Sequence, residues 1–161
     1  MTAPVDPAEI VRAVCEGVSR LVSSDLDHPA QRETQLDRLA ALYAERTDVR
    51  HPFAPGGGPI ISTRAEVRRH FAQAPGRADG IQCFEPVILH VHRTADPEVV
   101  VTEYRYEGSA DGRPVFITNI LVTRVRDGVI VESRDYADHI ATARAFGHLT
   151  ALAATLAAEE N

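Results

Sequence analysis

The first part of the chain carries apolar residues at helical spacing. One set repeats three and four residues apart, at Ile10, Val11, Val14, Val18 and Leu21. A second set follows a polar break at residues 25–29, at Leu36, Leu39, Ala40, Leu42 and Tyr43. Because this spacing lines one side of an α-helix, the pattern predicts helices over residues 7–21 and from about 36 to Arg46.

The next segment alternates between extended and helical signals. A short strand-like run at residues 49–53 leads into a loop rich in glycine and proline at residues 54–59. Thr63 is a candidate N-cap, and Glu66 three residues later completes the pattern of a capping box. The sequence therefore predicts a third helix that extends to about Ala74.

From residue 81 onwards the apolar positions alternate with a period of two. Four β-like runs cover residues 81–93, 98–108, 115–126 and 129–137, and they are separated by turn signals at Asp96-Pro97, Asp111-Gly112 and Asp127-Gly128. The stretch 140–160 is rich in Ala and Leu and is predicted to be helical, with a break at Gly147. Helices followed by a run of hairpin-linked strands are typical of an α+β fold with an antiparallel sheet.

Composition limits the classes of function. With 161 residues, 44% hydrophobic and 25% charged, the chain fits a single globular domain over residues 1–161 with a C-terminal helical extension from about residue 140. The net charge is −6 and all seventeen basic residues are scattered arginines, so we expect no nucleic-acid partner. No apolar run reaches the length of a membrane span, so we expect no membrane partner and a cytoplasmic location, with Cys15 and Cys83 as free thiols.

Several short segments, in this order and spacing, carry a family resemblance. They are Leu42-Tyr43-Ala44, His51-Pro52-Phe53-Ala54-Pro55, residues 63–71, Val101-Thr102-Glu103-Tyr104, residues 126–130 and Arg134-Asp135-Tyr136. Over residues 10–147 the chain resembles the SnoaL-like branch of the NTF2-like superfamily, which includes polyketide cyclases, ketosteroid isomerases and phenazine-biosynthesis proteins. The resemblance implies a cone: a curved antiparallel sheet wrapped around the N-terminal helices, with a pocket at its wide end.

His51 is the first candidate catalytic residue. It precedes Pro52, which restricts its backbone to extended conformations, and it lies beside the glycine-rich loop. The resemblance places it where ketosteroid isomerases carry an aspartate base, and the ordinary pKa of histidine suits proton transfer near neutral pH. The alternative is a histidine that only hydrogen-bonds to loop backbone.

Asp135 is the second candidate. Period-two spacing puts it on one face of the last strand with Val131 and Ser133. If that face lines the cone, desolvation would raise the pKa of the carboxyl into the range of a general acid. The phenazine-biosynthesis proteins carry a glutamate at the matching position. The alternative is a surface ion pair with Arg134 or Arg126.

His70 is the third candidate, on the apolar side of the third helix near Val67 and Phe71. In the phenazine-biosynthesis proteins, a histidine at the matching position faces the carboxylate across the pocket, so His70 and Asp135 would form an acid/base pair. The alternative is a core histidine with no chemical role. The arginine of those proteins on the second helix is not matched, because Leu39 stands there.

Further residues are expected to contact a ligand rather than transfer protons. They are Asn119, Tyr43, Phe53, Phe71 and Ser133. Asn119 interrupts an apolar run, so its buried amide needs partners, either a ligand or the sheet backbone. His90 and His92 share a strand face but have no third ligand at convincing spacing, so we expect no metal, and no motif for a cofactor is present.

These residues lead to two functional hypotheses. The first is a cofactor-independent isomerase, cyclase or dehydratase for a carbonyl-containing apolar metabolite, with secondary metabolism as the setting that the resemblance implies. The second is a binding module in which the same cone holds a ligand or partner without turnover. Because the strands are apolar at both parities, as at Val100 with Val101 and Ile120 with Leu121, we also expect a homodimer formed through the outer face of the sheet.

Overall fold

The computed structural model describes residues 5–22, 29–74 and 80–158. The helices are α1 (Pro7–Val22), α2 (Pro29–Ala41), α3 (Arg64–Ala72), α4 (His139–Ala145) and α5 (Leu149–Ala158). The strands are β1 (Tyr43–Arg50), β2 (Ile61–Thr63), β3 (Ile81–Arg93), β4 (Val99–Ala110), β5 (Arg113–Arg126) and β6 (Val129–Ala137). None of the described helices combines the length and apolar character needed to cross a membrane.

The six strands form one curved sheet in the order β2-β1-β6-β5-β4-β3. Neighbouring strands are antiparallel except for β1 and β6, which run parallel. The sheet is therefore mixed, and it is not closed into a barrel. The predicted α+β class, with a curved sheet around the N-terminal helices, is confirmed.

Buried and exposed residues alternate along β5 and show which face of the sheet is covered. The buried positions are Val115, Ile117, Asn119, Leu121, Thr123 and Val125. Successive side chains of a strand point to opposite faces, so this set faces inwards. Helix α1 crosses β3, β4 and β5 on that side, while α3 packs on β1 and β2. The sheet and the two helices thus enclose the space in which the candidate residues lie.

A β-bulge in β6 changes the face that its residues occupy. Arg124 pairs with Glu132 and Val125 pairs with Ile130, so β6 contains one extra residue, Val131, at this point. Ile130 and Ser133 are both buried as a result. The expectation that Val131 shares a face with Ser133 is therefore wrong, because the bulge interrupts the alternation.

The boundary between α2 and β1 also differs from the sequence prediction. The helix ends at Ala41, and the predicted helical end near Arg46 lies inside β1. The apolar side chains up to Tyr43 fit a helical period, but Tyr43 pairs with Ile130 of β6 instead. Tertiary strand pairing thus overrides the local pattern.

Two predicted helix boundaries are confirmed. The Thr63 hydroxyl accepts a hydrogen bond from the Glu66 N–H at 3.3 Å, and the Glu66 carboxylate accepts one from the Thr63 N–H at 3.1 Å. This is the capping box that starts α3. Gly147 has φ of 73°, a left-handed conformation that favours glycine, and it separates α4 from α5.

Candidate active site

A cavity of about 410 Å³ lies between the helices and the inner face of the sheet. Apolar side chains form most of its wall: Val14, Val18, Val22, Tyr43, Phe71, Phe84, Tyr104, Ile117, Leu121 and Phe146. The polar side chains that reach it are those of His51, His70, Gln73, Asn119, Ser133, Asp135 and Thr142. Among the described residues, no arginine lines this cavity, so its charge-bearing groups are a carboxyl and two imidazoles.

Asp135 projects from β6 into the cavity, opposite Leu121 of β5. Its Oδ1 atom is buried and has no hydrogen-bond partner among the described residues. Burial disfavours the charged form of a carboxyl, and it raises the pKa of Asp135 to about 7. The carboxyl can therefore hold or release a proton near neutral pH.

His51 follows the end of β1 and lies next to Asp135. Its Nδ1 atom is 3.8 Å from Asp135 Oδ2, and its Nε2 atom is buried without a hydrogen-bond partner in the described part of the chain. Burial, followed by the charges of His70 and His139, lowers the pKa of His51 to about 4. At neutral pH the contact therefore joins a neutral imidazole to a carboxyl, and it is not an ion pair.

The backbone around His51 is held by the start of the glycine-rich loop. The His51 carbonyl accepts a hydrogen bond from the Ala54 N–H at 3.0 Å. Gly58 has φ of 46°, and a Cβ built there would lie 2.9 Å from Ala54 Cβ and 3.4 Å from the His51 carbonyl oxygen. A side chain at Gly58 would thus disturb the turn that positions His51.

His70 reaches the same cluster from α3. Its ring centroid is 4.7 Å from that of His51, with an angle of 31° between the ring planes. Burial lowers the pKa of His70. The structure therefore brings His70 and Asp135 to one cavity, with His51 in contact with both. Two neutral imidazoles beside a protonated carboxyl can accept and donate protons without any metal or cofactor atom.

Asn119 and Ser133 flank Asp135 on the inner face of the sheet. Asn119 Oδ1 accepts a hydrogen bond from the Asp138 N–H at 3.1 Å, and its Nδ2 donates one to the Ile117 carbonyl at 3.4 Å. The amide thus ties β5 to the chain that leads into α4. Ser133 is 2% exposed and lines the cavity.

The amino-acid sequence also identifies the family of the chain. Residues 27–133 match the sequence profile of the SnoaL-like domain. That range is well over half of the chain. The chain belongs to the SnoaL-like family. The matched region contains His51 and His70 and ends two residues before Asp135.

This SnoaL-like protein is similar to one Bacillus subtilis protein in sequence and to a solved Bacillus subtilis structure in fold. This chain is 29% identical to the uncharacterized protein YesE of Bacillus subtilis over 118 residues. The alignment covers 71% of this chain and 78% of YesE. A Bacillus subtilis structure provisionally described as an isomerase has a TM-score of 0.60 at 24% identity, covering 86% of this chain and 96% of the other. At such identity the likeness shows the fold alone.

Two further solved structures are similar in fold to this SnoaL-like protein. A Catenulispora acidiphila protein with a ketosteroid isomerase-like fold, in complex with trimethylamine, has a TM-score of 0.58 at 19% identity, with coverage of 86% and 92%. A Jannaschia sp. CCS1 protein provisionally described as a SnoaL-like polyketide cyclase has a TM-score of 0.59 at 16% identity, with coverage of 91% and 96%. The NTF2-like fold predicted from the sequence is therefore confirmed.

The aromatic wall of this SnoaL-like cavity differs from the expected set. Tyr43 and Phe71 line it, with ring centroids 6.0 Å apart. Phe53 does not: it is 69% exposed, and its ring packs edge-on against Tyr136 at 5.1 Å. Strand β1 ends at Arg50 and the chain then turns, which directs Phe53 away from the cavity. Phe84 and Phe146 supply aromatic surface instead.

Gln73 and Thr142 line the cavity, and His139 lies near His51, but none of the three was predicted from the sequence as part of the site. His139, the first residue of α4, has a buried Nε2 atom to which no described residue hydrogen-bonds, and its charge contributes to the low pKa of His51. The Asp138 carboxylate accepts from the Ala141 N–H at 2.8 Å and caps α4. An Asp before an Ala-rich stretch is the sequence signal that could have placed His139 at this helix start.

His90 and His92 lie apart from this site, on β3. His92 Nε2 is 2.6 Å from Glu103 Oε1 of β4, so Glu103 is the cross-strand partner of a histidine. Within residues 5–22, 29–74 and 80–158, no three His, Cys, Asp or Glu side chains are grouped so that they could hold a metal ion.

Proposed function

We propose that this protein is a cofactor-independent acid/base enzyme that isomerises, cyclises or dehydrates a carbonyl-containing apolar metabolite. One observation carries the proposal: a carboxyl with an unpartnered oxygen lies 3.8 Å from a neutral imidazole inside an apolar cavity. Groups with perturbed pKa values in a cleft are typical of proton-transfer sites. Membership of the SnoaL-like family supports the same class of activity.

In the proposed mechanism, His51 removes a proton from the carbon next to the substrate carbonyl. Asp135, protonated at the start, donates its proton to the developing enolate oxygen. His51 becomes an imidazolium as Asp135 becomes a carboxylate, and the two groups are already in contact. The cluster's net charge therefore stays constant, and the new ion pair stabilises an imidazolium that burial alone would disfavour.

His70 is a third proton-transfer group beside the pair of His51 and Asp135. Its ring lies against that of His51, so it can exchange the proton or return it to a different carbon of the enol. Return to another carbon is isomerisation; loss of a β-hydroxyl as water is dehydration. Asn119, Ser133, Tyr43 and Phe71 line the cavity around the pair, and we propose that they contact the substrate.

Binding without turnover is the second candidate function. The extent of the aromatic wall favours it, because Phe71, Phe84 and Phe146 can hold an apolar ligand without any chemistry. The two functions differ in one observable. Only an enzyme transfers protons to and from the carbon skeleton of the ligand.

Deuterium exchange into simple apolar ketones tests the enzyme proposal. The test ketones are α-tetralone, 1-indanone and 4-chromanone in D₂O at pH 7. We expect the protein to accelerate deuterium incorporation next to the carbonyl of at least one of them, as measured by ¹H NMR. A double variant, Asp135→Asn with His51→Gln, is the matched control. In its presence, deuterium exchange should proceed only at the uncatalysed rate. Ketones that bind in the cavity and exchange no faster than in buffer would contradict the proposal and favour the binding module.

We also propose that the protein is a cytoplasmic homodimer. Ile120 is 41% exposed on the outer face of the sheet, and on the same face Val101 of β4 pairs with Val122 of β5. An apolar outer face is a surface that a second copy can cover. Cys15 is buried and Cys83 is exposed, both as free thiols, which supports a reducing compartment.

A further inference from the structure

A second concave site lies on the far side of α4. It is a groove of about 340 Å³ between α4 and the hairpin that joins β4 to β5. Its lining includes Ala110, Arg113, Phe116, Ala141, Arg144 and Ala145. On α4, residues 141, 144 and 145 are three and four positions apart, so they share one side of the helix. Thr142 and Phe146 face the main cavity instead.

The two arginines of this groove have no partner among the described residues. Most arginines of the chain are neutralised, as Arg124 is by Asp96 at 2.7 Å and Arg134 is by Asp48 at 2.6 Å. In the described part of the chain, the side chains of Arg113 and Arg144 make no hydrogen bond or ion pair. One groove therefore carries two guanidinium groups without a described partner, in a protein with a net charge of −6.

An apolar surface adjoins these charges. Ala110 is 2% exposed and Ala141 and Ala145 are partly buried, so the floor between the arginines is a methyl-rich surface. Pro114 and Val115 of β5 also line the groove, whereas the Phe116 ring points to the outer face of the sheet, where Arg105 lies 5.6 Å from its centroid. Because Glu107 already pairs with Arg105, the free positive charge at the groove belongs to Arg113 and Arg144.

We propose that this groove is a second ligand site, which binds an organic anion with an apolar body and one carboxylate group. The guanidinium groups would bind the carboxylate, which matches their planar donor geometry. The alanine floor, together with Pro114 and Val115, would cover the apolar body. The site is distinct from the main cavity, where no described arginine is present and an anion would meet Asp135.

Titration with octanoate tests this site by ¹⁵N–¹H NMR. We expect saturable shifts of the Arg113 and Val115 amides, which line only the groove. Octan-1-ol and octyltrimethylammonium, with the same apolar body and no negative charge, should not produce them. Arg113→Gln and Arg144→Gln should each weaken octanoate binding by at least about threefold, and the double variant by more than tenfold.

Matched variants separate site-specific binding from general charge effects. Arg38→Gln removes an exposed arginine on α2 that has no partner within residues 5–22, 29–74 and 80–158, and it should leave octanoate affinity unchanged. Arg144→Lys keeps the charge without the planar fork and should retain part of the affinity. Shifts centred on Leu121 and Asp135, equal binding of octan-1-ol, or affinity unaffected by both groove variants would overturn the proposal. The proposal would also be overturned if octanoate showed no saturable binding below about 20 mM, which is roughly the upper end of weak ligand binding.

Discussion

Asp135 shows what burial does to a single carboxyl. In an unfolded chain an aspartate has a pKa near 3.9, whereas in the folded protein burial raises it to about 7. The folded state therefore retains a proton that the unfolded state has lost. As the pH rises through this interval, the unfolded state gains the advantage of an ionised, hydrated carboxylate and the folded state loses stability.

The Asp135→Asn variant should reveal this cost. The amide has the shape of the protonated carboxyl, so the two proteins should differ little in free energy of unfolding near pH 4. We expect the variant to become progressively more stable than the wild type as the pH rises to 8, by a few kcal/mol at most, since each pKa unit corresponds to about 1.4 kcal/mol. Urea unfolding at a series of pH values measures the difference; a gap that does not change with pH would contradict it.

His51 offers a second test at the same scale. Burial is the largest cause of its low pKa, and the neighbouring charge of His70 comes second. Removing that charge in His70→Gln should raise the pKa of His51 while leaving it below the ordinary value of histidine. Titration of the His51 ring Cε1 resonance by NMR measures this. A pKa that is unchanged or lower in the variant would show that His70 does not act on His51.

Some single-residue placements were predictable and others were not. Ser133 and Asp135 are two residues apart on β6 beyond its bulge, so period two places both on the inner face. Phe53 follows the end of its strand, where no periodicity applies, and its ring lies outside the cavity. The contact of His51 with His70 joins a loop to a helix through tertiary packing, which sequence spacing does not encode.

At the scale of an element, α3 depends on its first turn. The capping box of Thr63 and Glu66 satisfies N–H groups that otherwise lack intrahelical partners. We expect Thr63→Ala to lower the free energy of unfolding by about 1 kcal/mol, measured by urea denaturation. Ser62→Ala is the matched control, because Ser62 contributes only its backbone N–H to Glu66. Equal losses in both variants would mean that the cap is not the cause.

Elements were predictable where the sequence carries local signals for them. The start of α3 has its capping box, and Gly128 ends the hairpin turn between β5 and β6 with φ of 77°. The α2–β1 boundary lacks such a signal, because Tyr43 fits a helical stripe and a strand equally well. Pairing with Ile130, far away in the sequence, decides it.

At the scale of the whole molecule, the outer face of the sheet determines assembly. We expect a dimer in sedimentation velocity at micromolar concentration. Ile120→Glu should shift it towards the monomer, because a buried, unpaired carboxylate at the interface is unfavourable. Ile60→Glu, which changes a 62% exposed isoleucine outside the face, should not. A wild-type monomer under these conditions would rule out the proposed dimer.

The overall fold was more predictable than the site. Four strands with turn signals between them, after a helical first half, suffice for an α+β sheet, and the residue order carried the family resemblance. The cavity depends on how α1, α3 and α4 meet the curved sheet, so its lining includes residues without distinctive local patterns, such as Gln73 and Thr142.

The central claim is that Asp135 and His51 transfer protons as a pair, and deuterium exchange in their single variants tests it most directly. For a ketone whose deuterium exchange the wild type accelerates, Asp135→Asn and His51→Gln should each slow that exchange by about 10²–10⁴-fold. The affinity for the ketone should change little. The double variant should lose less than the product of the two losses, because the residues act as one unit. Exchange at the wild-type rate in Asp135→Asn would contradict the account.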